Sequence, residues 1–211
     1  MSNNDRSQFS VIYDFETLSK DRFNCVILCI AGLKFDQKRF TSDDPYTFEG
    51  LLRDTSFMKF DVQQQVKTYQ RKIDMDTVRW WKEKPAKIQD MLLEPAESDS
   101  PFYSIVTFIK ELIPNENLVD MVFTRGNTFD PIILKGITEQ LKSQDPYPFY
   151  KDRDTRSFID GLTFGADMRN DFMVPGLEEK FIAHDPRHDI VMDVMRMQYV
   201  VRLLNDLETV V

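Results

Sequence analysis

Residues Cys25 to Phe35 form an apolar run of Val, Ile, Leu, Cys, Ala and Phe broken only by Gly32 and Lys34. A run that is apolar on both of its faces reads as a strand buried within a sheet, and Gly32 marks a bulge or a point of close packing. The β-prone segment Phe9 to Phe15 precedes it. Lys38 to Thr41 follows as the predicted third strand and closes on the turn-like Asp43-Asp44-Pro45. The three predict an antiparallel meander with short connections. Helical signals come next. Asp74 to Lys84 starts at an acidic cap, carries Trp80 and Trp81 and stops at Pro85. Ser98-Asp99-Ser100-Pro101 opens a helix with apolar positions at Phe102, Ile105, Val106, Ile109, Leu112 and Ile113. Leu118 to Thr124 reads as a buried strand, Pro131 to Leu141 as a helix, Tyr150 to Asp154 as a short strand and Thr155 to Leu162 as a helix. His188 to Leu207 has the strongest helical periodicity. This order predicts an α/β fold in which a mixed sheet, an antiparallel meander plus parallel strands, is flanked by helices. The expected organisation is a single domain over residues 1–211.

Composition narrows the function classes. Gly occurs only 7 times and no phosphate-cradling glycine motif is present, while 17 Phe supply a large core. The formal net charge of −8 argues against a protein that coats nucleic acid through a basic field. It leaves room for an enzyme that holds a strand end through metal ions. Cys25 and Cys29 lack two further ligands at zinc-site spacing and are expected as buried thiols. The N-terminus Met1 to Arg6 is polar, and no apolar run approaches the roughly 20 residues of a membrane span. The expectation is a cytoplasmic protein with no membrane partner.

Three segments combine carboxylates with signs of a site. In Asp14-Phe15-Glu16 the acids are two apart on a strand and share a face. Like charges so close raise each other's pKa and cost stability unless a cation lies between them, and Mg²⁺ suits carboxylate oxygens. Asn127-Thr128-Phe129-Asp130-Pro131 follows a buried strand and opens a helix; Asp before Pro also reads as a plain helix cap. In the third segment both histidines of the chain fit H-x4-D, His184 with Asp189 and His188 with Asp193. Pro186 disfavours a helix running through from His184, and the apolar periodicity begins only after Asp189. These favour His188 and Asp193 over the His184–Asp189 pair and leave His184 a structural role or a place just behind the site.

Together the segments resemble the DEDDh branch of the DnaQ-like 3′→5′ exonucleases, over most of the chain from about Phe9 to Tyr199. The resemblance is carried by Asp14-Phe15-Glu16-Thr17, Lys59-Phe60-Asp61, Thr77-Val78-Arg79-Trp80-Trp81-Lys82 and Phe129-Asp130-Pro131-Ile132-Ile133-Leu134. It continues through Arg153-Asp154-Thr155-Arg156 and Ala183-His184-Asp185-Pro186-Arg187-His188-Asp189. The same stretches resemble phage DNA exonucleases of this branch and also its exoribonucleases. The resemblance implies an RNase H-like core, with Asp14, Glu16, Asp130 and Asp193 holding two Mg²⁺ ions that Mn²⁺ can replace. It implies His188 as the general base and release of nucleoside 5′-monophosphates from a single-stranded 3′ end, with DNA favoured over RNA. A catalytically inactive RNase H-like binding module is the alternative from another class, and retention of all five reactive groups speaks against it. Candidate substrate contacts are Thr17 and Leu18 just after the acidic pair, Trp80 or Trp81 stacking on a base, and Arg125, Asn127, Phe129 and Arg156 around the cleft. Relatives are often dimers, and the long last helix could supply a homodimer interface.

Overall fold

The computed structural model describes residues 8–164 and 168–209. The polar segment Met1 to Arg6 therefore lies outside the described residues. The two apolar runs become neighbouring strands, β1 (Phe9–Thr17) and β2 (Ile27–Phe35), in a five-stranded mixed sheet. Strands β3 (Ser56–Lys59), β4 (Val119–Thr124) and β5 (Asp152–Asp154) complete it in the order β3-β2-β1-β4-β5. The β1–β2 and β2–β3 pairs are antiparallel, and β1–β4 and β4–β5 are parallel. This is the α/β mixed sheet expected from the sequence.

The period-2 alternation of β1 sorts its side chains between two cores. Val11, Tyr13 and Phe15 face α5 (Ser104–Leu112) and α6 (Asp130–Gln140), packing on Ile105, Ile109, Ile133 and Ile137. Ile12 faces the opposite way, with Leu33 and Phe35 of β2, toward α1 (Phe48–Asp54), α7 (Thr155–Leu162) and α8 (Pro186–Leu204). By the same alternation Asp14 and Glu16 fall on the α8 side. A third cluster joins Leu18, Val26 and Leu28 to Trp81 of α3 (Met75–Lys82) and to Ile88 and Leu92 of α4 (Ala86–Leu92). The remaining helix, α2 (Val62–Tyr69), buries Gln65, whose amide exchanges hydrogen bonds of 2.8 Å with both backbone groups of Ile27.

Several local expectations change. Lys38 to Thr41 is part of a 3-10 helix, Gln37–Thr41, because the Asp36 carboxylate accepts from Lys38 N–H and caps a turn there. The third strand is instead Ser56–Lys59, which pairs with the free edge of β2 from Gly32 to Cys29. Gly32 marks close packing: a Cβ there would stand 2.7 Å from Leu112 Cδ2. The register irregularity falls elsewhere, between Glu16 and Thr17. Cys25 and Cys29 are free and buried, as expected. Helix α8 is buried along most of its length, because it covers the sheet. Only its end, with Leu203 and Leu204 exposed, offers apolar surface toward the expected dimer interface. Among the described residues, no helix is long and apolar enough to cross a membrane.

Candidate active site

The parallel ladder between β1 and β4 stops at Ile12 and Phe123, so β1 projects past its neighbour. Into this gap comes Asp130 at the start of α6, with Pro131 in the first turn, and its Oδ1 accepts from Phe15 N–H at 3.1 Å. The buried Asp130 carboxylate is thereby fixed beside Asp14 and Glu16. From the other side comes the segment leading into α8. Glu16, His184 and Asp189 each place one ligand atom within 4.8 Å of the others. All three are partly exposed, so a solvent-borne group can reach them.

The structure distinguishes the two H-x4-D pairs. His184 and Asp189 are the pair grouped with Glu16; His188 is buried in the first turns of α8, and Asp193, one turn beyond Asp189, stands near enough for its charge to act on Asp14. Pro186 does not break the helix, because it occupies its first turn, where proline's missing N–H is no loss. Asp185 caps that turn, its carboxylate accepting from Arg187 N–H at 3.1 Å. His184 precedes the cap with φ of 67°, a left-handed conformation rare for a residue with a Cβ. That backbone places its ring beside Glu16 without any helix running through it. His188, one turn into α8, is buried instead. Its Nδ1 accepts from Ile182 N–H at 3.2 Å and its ring packs 5.5 Å from that of Phe48. Asp193 is buried behind the site with both oxygens occupied. Oδ1 accepts from Arg125 at 2.7 Å and Arg196 at 2.8 Å, and Oδ2 from the Thr155 hydroxyl at 2.6 Å.

The electrostatics of the cluster are those of a site that lacks positive charge. Burial, then the charges of Asp130, Glu16, Asp189 and Asp193, hold Asp14 well above the usual carboxylate range. Burial, then Asp189, Asp130 and Asp185, does the same to Glu16. Asp130 is pushed up to about 7 by burial, against the lowering effects of backbone N–H groups and the Arg156 charge. Asp189 is pushed up to about 7 by burial and then by Asp193 and Asp185. The His184 imidazole is held below its ordinary value by burial and the Lys84 charge. Converging, mutually repelling oxygens with one imidazole fit a divalent cation.

A stability prediction follows. Carboxyls raised in the fold hold protons that the unfolded chain releases, so their contribution is present at low pH and lost as pH rises through about 7. The melting temperature of the chelator-treated protein should fall by several degrees between pH 5 and pH 8, since about 1 kcal/mol moves Tm by roughly 2–4 °C at this size. Mg²⁺ or Mn²⁺ should restore it, most strongly at pH 8. A profile that rises with pH, or is indifferent to metal, contradicts this electrostatic picture; scanning calorimetry reads it.

The expected substrate contacts divide. Thr17 is buried, its hydroxyl donating to Ser19 O at 2.8 Å and its carbonyl accepting from Trp81 Nε1 at 2.9 Å. Leu18 is buried against Trp81 and is not an exposed wedge. Trp81 is core, and Trp80 remains 41% exposed. Arg125 does not line the cleft as a free cation, because Asp193 holds it. Phe129 packs on the α5–α6 core, whereas Asn127 and Arg156 are exposed. Lys84, which reaches both Trp80 and His184 by contact or charge, escaped the sequence reading because no local pattern marks it.

The chain has informative relatives. A family model described as the 3'-5' exoribonuclease Rv2179c-like domain matches residues 10–192. The exodeoxyribonuclease of Enterobacteria phage T4 is 27% identical over 216 residues, 95% of this chain and 92% of that protein. Among solved structures, the zinc-bound complex of E. coli exonuclease I with single-stranded DNA superposes with a TM-score of 0.61 at 11% identity, over 95% of this chain and 41% of that one. Exonuclease I from Methylocaldum szegediense gives 0.58 at 16% identity, over 93% and 40%. The chain thus spans about two fifths of the length of the exonuclease I chains it matches. The likeness shows that the fold is RNase H-like.

Proposed function

The chain belongs to the 3'-5' exoribonuclease Rv2179c-like domain family and is a 3′→5′ exonuclease, and from this premise we propose that it shortens single-stranded DNA with two Mg²⁺ ions held by Asp14, Glu16, Asp130 and Asp189. The observation that carries the site assignment is the approach of Glu16, His184 and Asp189 to within 4.8 Å on the face that also bears Asp14. Bound there, divalent ions would acidify a water molecule and offset the charge on the phosphate. His184 is the general base. Burial and Lys84 keep its imidazole neutral near pH 7, able to take the proton of the attacking water. Ligand atoms of Glu16 and Asp189 lie within 4.8 Å of the ring, where the ions and their water would sit. The P–O3′ bond breaks, a nucleoside 5′-monophosphate leaves, and the strand retains a free 3′ hydroxyl.

The similarity to a phage exodeoxyribonuclease along nearly the whole of both chains supports DNA as the substrate, as do exonuclease I structures that contain single-stranded DNA. The family description supports RNA as the second reading. The test is degradation of 5′-labelled single-stranded DNA and RNA of the same sequence with Mg²⁺, Mn²⁺ or EDTA. The expected result is a ladder shortening from the 3′ end, with DNA cut faster and nothing cut in EDTA. Faster cutting of RNA transfers the assignment to the second reading, and undiminished cutting in EDTA overturns the metal-dependent mechanism.

A further inference from the structure

Trp80 and Trp81 are adjacent on α3, so they leave the helix about 100° apart and do different things. Trp81 is core, and its indole N–H ties α3 to the carbonyl of Thr17, the residue after Glu16. Trp80 is exposed, but its ring is already engaged. Lys84 Nζ stands 3.7 Å from the ring centroid over one face. The His184 ring lies 5.0 Å away with the planes at 77°, and Trp81 adds a second edge contact at 4.9 Å. A tryptophan whose face carries an ammonium group is poorly placed as an open platform for a base. His184, in turn, has its backbone in a left-handed conformation, and among the described residues its ring meets the edges of Trp80 and Trp81 and no hydrogen-bond partner. The aromatic contacts with Trp80 and Trp81 are what remain to set the ring's orientation.

We propose that Lys84 and Trp80 form a stack that aims the His184 imidazole at Glu16 and Asp189, which makes Trp80 a positioning residue for proton transfer and not a base-stacking site. This rests on reading His184 as the general base. Trp80 is on the surface, so its replacement leaves the core intact, and Trp80→Phe preserves an aromatic edge where Trp80→Ala does not.

The experiment compares Trp80→Ala, Trp80→Phe and His184→Ala by two readouts. The first is the NMR spectrum of the imidazole groups in chelator-treated protein, informative because the chain has only 2 His. The His184 resonance, identified by its loss in His184→Ala, should shift and broaden in Trp80→Ala while that of His188 stays in place. The second is steady-state kinetics on a single-stranded oligonucleotide with Mg²⁺. Trp80→Ala should lower kcat about 10–100-fold, the scale of a misplaced reacting group, and leave KM within about 2-fold; Trp80→Phe should recover most of kcat. A raised KM with unchanged kcat overturns the proposal and makes Trp80 a substrate contact. An unmoved His184 resonance removes the contact itself. Full activity in His184→Ala removes the base reading instead, so the two failures are told apart.

Discussion

Asp193→Ala should lower the folding stability by about 3–5 kcal/mol, the usual cost of removing one partner of a buried ion pair, while Asp189→Ala should leave it unchanged or raise it. The two aspartates are four residues apart on one helix, and their surroundings are opposite. The Asp193 side chain is 2% exposed and meets two guanidinium groups, from Arg196 (9% exposed) and Arg125 (24%), as well as the Thr155 hydroxyl. Arg196 also donates to Phe172 O at 2.7 Å, and Arg125 to Asn170 Oδ1 at 3.4 Å. Asp193 therefore anchors the end of β4, the start of α7 and the 170–172 segment to α8. Its loss strands a buried positive charge. Asp189 faces other acids, and its carboxyl is pushed up to about 7 by burial and by Asp193 and Asp185, so its removal relieves repulsion. Urea denaturation of the chelator-treated variants at pH 8 measures both changes. If the order were reversed, Asp193 and not Asp189 would be the carboxylate short of a cation.

This contrast shows where the sequence was legible. Strands β1, β2 and β4 stand close to where their apolar runs place them, α7 has the expected bounds, and Asp14, Glu16 and Asp130 lie on one sheet end. Each of these is a short-range signal, a strand period or a Pro after an acidic cap. Three of the short helices and one short strand were not legible. Helices α1, α2 and α4 have 7 or 8 residues, too few to be stable alone, and exist through packing on the sheet. Strand β3 depends on the open edge of β2. Arg125 looked like a cleft cation because its partner Asp193 is 68 residues away. Spacing alone does not choose between the two histidines: Pro186 begins a helix and does not interrupt one, and His184 needs no helix to come near Glu16.

His184→Ala should slow cleavage about 10²–10⁴-fold, the range for loss of a general base, and His188→Ala should leave the chemical step nearly untouched. The two rings differ in access. His184 is partly exposed and shares a 4.8 Å cluster with Glu16 and Asp189. His188 is buried against Phe48, its Nδ1 occupied by the Ile182 N–H, and its loss should appear as destabilisation of roughly 1–3 kcal/mol from an unsatisfied buried donor. Binding and product release can hide a chemical step, so the comparison calls for a single turnover with enzyme in excess over a 5′-labelled strand, Mg²⁺ present, at a temperature where both variants are folded. The account predicts that His184→Ala loses the first cut and that His188→Ala makes it at close to the unmodified rate. The reverse outcome, with His188→Ala inactive and His184→Ala active, would contradict it and return the site to His188 and Asp193.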